Sequence, residues 1–305
     1  MTDRGARMNE LADSVPVVPG AAAPEARAAS EDSETAAARA RLRRRGWLVN
    51  TLRLGLLLGA LGGWEIAARL GWIDPFFFAM PSTIADQIWV WLTEGTSQGP
   101  LWQQVLVTLE ETVLGFLIGA VLGIVCGVTL GRNRLLADVF SIYIKIANSV
   151  PRVVLGSIFI ISMGLGMASK VALAVVMVFF VVFGNAFQGV READRNLIAN
   201  ARILGASPRR VTTAVVIPSA LSWIIASLHV SFGFALVGAV VGEFLGSRQG
   251  IGLLIATAQG TFNAAGVFAA MIVLAVVALA AEFLITLLEN RLIKWRPAQL
   301  ADTGF

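Results

Sequence analysis

The chain is poor in the residues that most catalytic and metal chemistry requires. It has one cysteine, one histidine, one tyrosine and three lysines in 305 residues, and only 14% of its residues are charged. Cys126 alone excludes an intrachain disulfide or a cysteine zinc site, and His229 alone excludes a multi-histidine metal or haem centre. None of the lysines (Lys145, Lys170, Lys294) follows a glycine, so the G-K-[ST] step of a phosphate-binding loop is missing. No H-E-x-x-H and no G-x-S-x-G occurs either. We therefore expect no catalytic residue, no bound metal and no cofactor of the chain's own. No basic stripe with interleaved aromatics is present, which argues against nucleic acid as a partner.

Apolar sequence fills the space. Hydrophobic residues make up 56% of the chain and mean hydropathy is +0.75. Soluble domains carry about a quarter charged residues, so the composition is that of an integral membrane protein lodged in a lipid bilayer. The net charge of +4 comes from arginines beside apolar runs.

Residues 1–45 hold almost no large apolar side chain and are expected to be a disordered N-terminal tail. They lack the apolar core of a secretory signal. Arg39, Arg41, Arg43, Arg44 and Arg45 then precede a first span, taken as 46–72, with Glu65 and Arg69 on one face near its far end. An outer connection, 73–107, contains no lysine or arginine. Within it Pro81 opens a helix expected to lie at the interface with Ile84, Ile88, Trp91 and Leu92 on one face.

A five-helix core, 108–296, follows. Gly115, Gly119, Gly123 and Gly127 recur every four residues in its first helix, a face for close helix packing rather than a site. The next span is interrupted at Pro151-Arg152, with Lys145 and Arg152 expected in its cytoplasmic third. Glu110, Glu111 and Glu243 are read as solvated carboxylates near the outer interface, and 243–262 as an outer loop. Residues 297–305 form a short C-terminal tail. Arginines crowd the tail and the ends at Arg132, Arg134, 191–210 and Arg291, whereas Arg69, Lys170 and Arg248 alone mark the other side. By the positive-inside rule this gives six transmembrane helices with both termini cytoplasmic.

One polar stretch, 191–216, lies between the fourth and fifth spans on the cytoplasmic side. Arg202 and Leu204 read as the end of one short helix, Gly205 as its stop, and Ser207-Pro208 as cap and first position of the next. This knob-like segment resembles the coupling motif of importer-type ABC permeases: Glu-Ala-Ala, three residues, Gly, nine residues, then I-x-L-P. Here Ala199-Asn200-Ala201 precede Arg202-Ile203-Leu204 and Gly205, Ala206 to Ala214 make up the nine, and Val215-Val216-Ile217-Pro218 close it. The motif's glutamate is Ala199 and its first alanine is Asn200, so an ion pair made by that glutamate does not carry over. Glu192, seven residues upstream, is a nearby substitute.

Pro81-Ser82-Thr83, the run from Leu114-Gly115-Phe116 to Gly127, Gly164-Leu165-Gly166 with Ser169-Lys170, and Val241-Gly242-Glu243-Phe244 to Gly250-Ile251-Gly252 are similar to the nitrate/sulfonate/taurine subgroup, over about 50–296. That resemblance implies a type I importer permease in a bacterial plasma membrane, working as a homodimer. It implies two cytoplasmic ATPase subunits that bind the ATP, an extracytoplasmic solute-binding protein, and a small, anionic solute such as a sulfonate or nitrate. It places coupling to the ATPase on Ala199, Asn200, Ala201, Arg202, Leu204, Gly205, Ala206, Ser207 and Pro218, with Pro218 starting the fifth helix as a lever. Candidate solute-pathway residues are Arg152, Met163, Asn185, His229, Ser231 and Phe232. For His229 a hydrogen bond between helices, and for Arg152 snorkelling to the interface, are the alternative readings. The competing function class is a secondary transporter or channel driven by an ion gradient, which would need acids or broken helices at mid-membrane.

Overall fold

A computed structural model describes residues 24–193 and 195–292, and among them the chain is helical with no sheet. We number the helices α1 (Pro24–Arg69), α2 (Pro75–Phe78), α3 (Pro81–Thr93), α4 (Leu101–Arg132), α5 (Arg134–Ser149), α6 (Val154–Met163), α7 (Met167–Arg191), α8 (Arg195–Ile203), α9 (Pro208–Val211), α10 (Ile217–Leu245), α11 (Ile251–Gly260) and α12 (Ala264–Leu292). A π turn, Thr212–Val216, joins α9 to α10.

Contacts divide the chain into two units, 1–63 and 64–305. The first holds α1 as far as Gly63, and its apolar residues from Trp47 to Leu61 lie largely exposed. The helix begins at Pro24, so 24–45 are helical where the composition predicted no order. Their many Ala, Arg and Glu residues are strong helix formers, and propensity holds a helix where no core is available. Residues 1–23 of the expected tail, and the C-terminal tail 297–305, lie outside the described residues.

The second unit is built on α7. Gly115, Gly119, Gly123, Gly127 and Gly131 of α4 lie against Ala174, Val178, Val182, Ala186 and Val190. A Cβ added at Gly115 would stand 2.3 Å from that of Ala174, and one at Gly123 2.9 Å from that of Val182. The glycine face is the packing surface its spacing predicted. From the other side α10 approaches α7 equally closely, with Gly238 against Ala174 and Gly242 against Lys170.

Four helical runs among the described residues are long and apolar enough to cross a membrane: Leu101–Arg132, Met167–Arg191, Pro208–Leu245 and Ala264–Leu287. The interruption predicted at Pro151 is a break of 93° between α5 and α6, which together supply a fifth crossing if they count as one span. Proline lacks a donor and restricts the residue before it, so Val150 is extended (φ −76°, ψ 126°) and the helix stops.

Two expectations are corrected. The stretch 243–262 is not an outer loop: Glu243 closes the last turns of α10, and α11 is a short buried helix, with Ile251 and Leu254 packed among Ile84, Trp91, Leu101, Ala269 and Ala270. In α3, Ile84 and Trp91 are buried but Leu92 is exposed, because that face meets α12 instead of the surface. The Glu65 carboxylate accepts from Arg69 Nε (2.7 Å), Ser82 N–H (3.1 Å) and Ser82 Oγ (2.9 Å), fixing the N-terminus of α3.

Candidate functional site: the turn between α8 and α9

The polar stretch folds as two short helices around a glycine. Leu204 N–H donates to Asn200 O (3.0 Å), Gly205 N–H to Arg202 O (3.0 Å) and Ala206 N–H to Ala201 O (3.0 Å). The last two bonds make a Schellman C-cap, which requires the left-handed backbone that Gly205 adopts at φ +79°. Ser207 Oγ accepts from Arg210 N–H and Pro208 occupies the first turn of α9. The sequence signals for stop and restart are both realised.

One side of this knob is anchored. Ile198, Ala201 and Ala206 pack on Ala186 and Val190 of α7, Ala193 just beyond it, Val211 of α9, Val216 of the π turn, and Ala220 and Ile224 of α10. The other side is bare. Ile203 is 83% and Leu204 85% exposed, and Ala199, Asn200, Arg202, Arg209 and Arg210 are exposed around them. Beyond its two chain neighbours, no heavy atom lies within 4 Å of the position a Gly205 Cβ would take. The result is a protruding apolar tip ringed by arginines. Ala199 opens onto a cavity of about 550 Å³ whose lining includes Arg132, Arg191 and Arg202. Where the resembled motif has an acid, this chain has a methyl group, in a cavity lined in part by three arginines. Glu192 is held by Gln188 Nε2 (2.7 Å) at the end of α7.

Pro218 stands in the first turn of α10. Its helical run begins at Pro208 and continues to Leu245. Proline at 218 cannot bond back to Ala214, and its ring would crowd that carbonyl. The π turn immediately before it, in which Ile217 N–H reaches back to Thr212 O, absorbs the mismatch.

The six pathway candidates do not converge. His229 and Phe232 line a cavity of about 270 Å³ between α10 and α12, where His229 Nε2 lies 3.7 Å from Glu282 Oε1. Ser231 is fully buried and bonds to its own helix at Ser227 O; Phe232 packs edge-on to Phe116 at 5.6 Å. Asn185 donates to Val181 O (2.9 Å), also in its own helix. Met163 is exposed at the end of α6. Arg152 stacks over Phe180 at 4.9 Å and bonds to Asn148 Oδ1 (2.8 Å), a local arrangement absent from the sequence reading.

Of the three acids read as solvated, Glu110 is exposed but the other two are not. Glu111 is 2% exposed, and Glu243 and Lys170 are fully buried. A buried polar row at 104, 108, 111 and 112 was the available signal, since these positions share one helix face.

Residues 119–294 match the family of binding-protein-dependent transport system inner membrane components. The chain belongs to that family. It is thus the non-catalytic, multi-pass inner-membrane permease subunit of a binding-protein-dependent ABC importer, a system that includes an ATPase and a binding protein. This replaces the ion-gradient carrier as a reading of the chain.

Among the permease's relatives, a putative aliphatic sulfonates transport permease of Bacillus subtilis (strain 168) is 31% identical over 83% of this chain and 90% of that protein. The riboflavin transport system permease of Chloroflexus aurantiacus is 31% identical over 83% and 93%. The taurine transport system permease of Escherichia coli K12 is 28% identical over 80% and 90%. In fold, the permease resembles a chain of the MetNI methionine ABC transporter, with a TM-score of 0.54 at 20% identity, covering 63% of this chain and 94% of that one.

Proposed function

We propose that this permease imports a small anionic organic solute, of the sulfonate class, and that the Gly205 tip is the contact through which the ATPase drives it. The observation that carries the coupling role is the tip itself: two apolar side chains more than four-fifths exposed, on a turn anchored behind by α7 and α10. An apolar pair held out by a rigid turn suits insertion into a groove on a partner. Arg202, Arg209 and Arg210 around it suit an acidic rim. With Ala199 in place of an acid, docking rests on shape and on these cations.

The finer architecture follows from the same reading. The segment 46–72, helical as far as Arg69, and the bent α5–α6 pair complete six spans, both termini lie in the cytoplasm, and two copies form the pathway. The continuous helical run from Pro208 to Leu245 makes the lever longer than a helix starting at Pro218. Push on the tip is carried by a run of 38 residues to the outer end of α10. Sulfonate as the solute class is supported by the names of two of the three relatives above.

Reconstitution with the ATPase and binding protein in proteoliposomes tests both parts. Gly205→Trp is expected to leave the permease folded, at a local backbone cost of about 1–2 kcal/mol, while lowering ATP-driven uptake at least about tenfold. Unchanged uptake would remove the coupling role. Competition by taurine and alkanesulfonates against the labelled solute tests the substrate class, and indifference to both sinks it.

A further inference from the structure

The buried ends of α4, α7 and α10 hold a charged centre that the transport reading does not use. Gln104, Thr108, Glu111 and Thr112 lie on one face of α4 and are at most 2% exposed; Lys170 of α7 and Glu243 of α10 are fully buried. Nearly every polar atom there has a partner. Glu243 Oε1 accepts from the Thr108 hydroxyl (2.7 Å) and Oε2 from Gly252 N–H (2.7 Å). Thr108 Oγ1 accepts from Ile251 N–H (3.0 Å), and Gln104 Oε1 from Gly250 N–H (2.8 Å). Lys170 Nζ donates to Leu165 O (2.7 Å) and Gly166 O (3.2 Å).

The exception is Glu111. Its Oε2 is buried without a hydrogen-bond partner, and it lies on the same face of α4 one turn from Thr108, whose hydroxyl holds Glu243. Among the described residues, neither acid forms an ion pair with Lys170. Two carboxylates and one ammonium would leave a net negative charge in a dry interior, with an acceptor oxygen left unpartnered, an arrangement a low-dielectric site disfavours. A single proton between the acids removes both problems. It belongs on Glu111, because both oxygens of Glu243 already accept hydrogen bonds. No other element alters the count: Glu110 of α4 and Arg248 of the loop are exposed, and α11 carries no ionisable residue.

We propose that Glu111 is a proton-binding site: it holds a proton donated in a hydrogen bond to Glu243, giving a neutral Glu111–Glu243–Lys170 centre that fastens the glycine loop before α11 to α4. No bond other than O–H is made or broken. The loop is shaped for this clasp, since a Cβ at Gly250 would stand 2.1 Å from Glu243 Oε1 and one at Gly252 2.7 Å from Glu243 Cβ.

The test uses the purified full-length permease in detergent, so its failure would leave the transport reading standing. Glu111→Gln keeps a donor toward Glu243 in place of the acid O–H, and is expected to unfold within about 2 °C of the unmutated protein. Glu243→Gln keeps one accepting oxygen and turns an amide NH₂ toward either the Gly252 N–H or the Thr108 hydroxyl, and is expected to unfold more than about 5 °C lower. Difference infrared spectroscopy at neutral pH is expected to show the carbonyl stretch of a protonated carboxylic acid, lost in Glu111→Gln. Equal destabilisation by the two glutamines, or a band that persists in Glu111→Gln, would overturn the proposal. Should Glu111→Gln not fold, the unmutated protein's spectrum decides alone: the band supports the site, and its absence refutes it.

Discussion

At the scale of single residues, the same amino acid does different work according to what its backbone is asked to do. Gly205 supplies a left-handed turn in open space, whereas Gly250 combines φ +110° with a side of its backbone already occupied by a carboxylate. Substituting Gly250 by alanine therefore meets both strain and a clash, and is expected to cost about 1–3 kcal/mol. The measurement is the thermal unfolding of the purified permease; a midpoint unchanged within error would show that the loop can reshape around a methyl group. Arg152 teaches the complementary lesson. A cation between two apolar helices reads from sequence as a liability to be carried to the interface, yet Phe180 gives it a partner a few ångströms away. No spacing rule links 152 to 180.

At the scale of elements, the glycine face of α4 was legible because its cause is local. Four-residue spacing puts every glycine on one stripe of a helix, and only close approach gives such a stripe a use in a membrane. Its partner was not legible; that α7, with Ala and Val at each facing position, fills the groove is a tertiary fact. Gly119→Leu would drive a side chain into Val175 O and Val178 Cβ, both 2.8 Å from the glycine's missing Cβ. We expect about 1–3 kcal/mol or more of destabilisation, seen as loss of folded protein on size-exclusion chromatography, whereas Ile118→Leu on the exposed neighbouring face should be silent. Equal behaviour of the two variants would contradict the packing. Pro218 stands in the first turn of α10, where its position suggested a helix start, but the π turn that links it back to Pro208 was not legible in any spacing.

At the scale of the whole molecule, the lone cysteine makes orientation measurable. In a Cys126→Ala background, Leu204→Cys is expected to react with an impermeant maleimide only in inside-out vesicles, and Arg248→Cys only in right-side-out ones. The reverse pattern would invert the topology and with it the coupling role of the Gly205 tip. A common side for both would contradict a single crossing by the run from Pro208 to Leu245.

Composition and pattern determined, on their own, that this protein is an all-helical, non-catalytic resident of the bilayer with a polar turn at a set spacing. Those properties depend on hydropathy, charge placement and residues within a few positions of one another. The tertiary structure decided what sits beside what across more than a hundred residues. It converted Glu111 and Glu243 from two expected surface acids into buried ones, and 243–262 from an outer loop into the end of α10 and the helix α11. An acid near the end of a span looks the same in sequence whether water or a neighbouring helix covers it. Only packing sets which one does, and therefore whether the carboxyl group must find a proton.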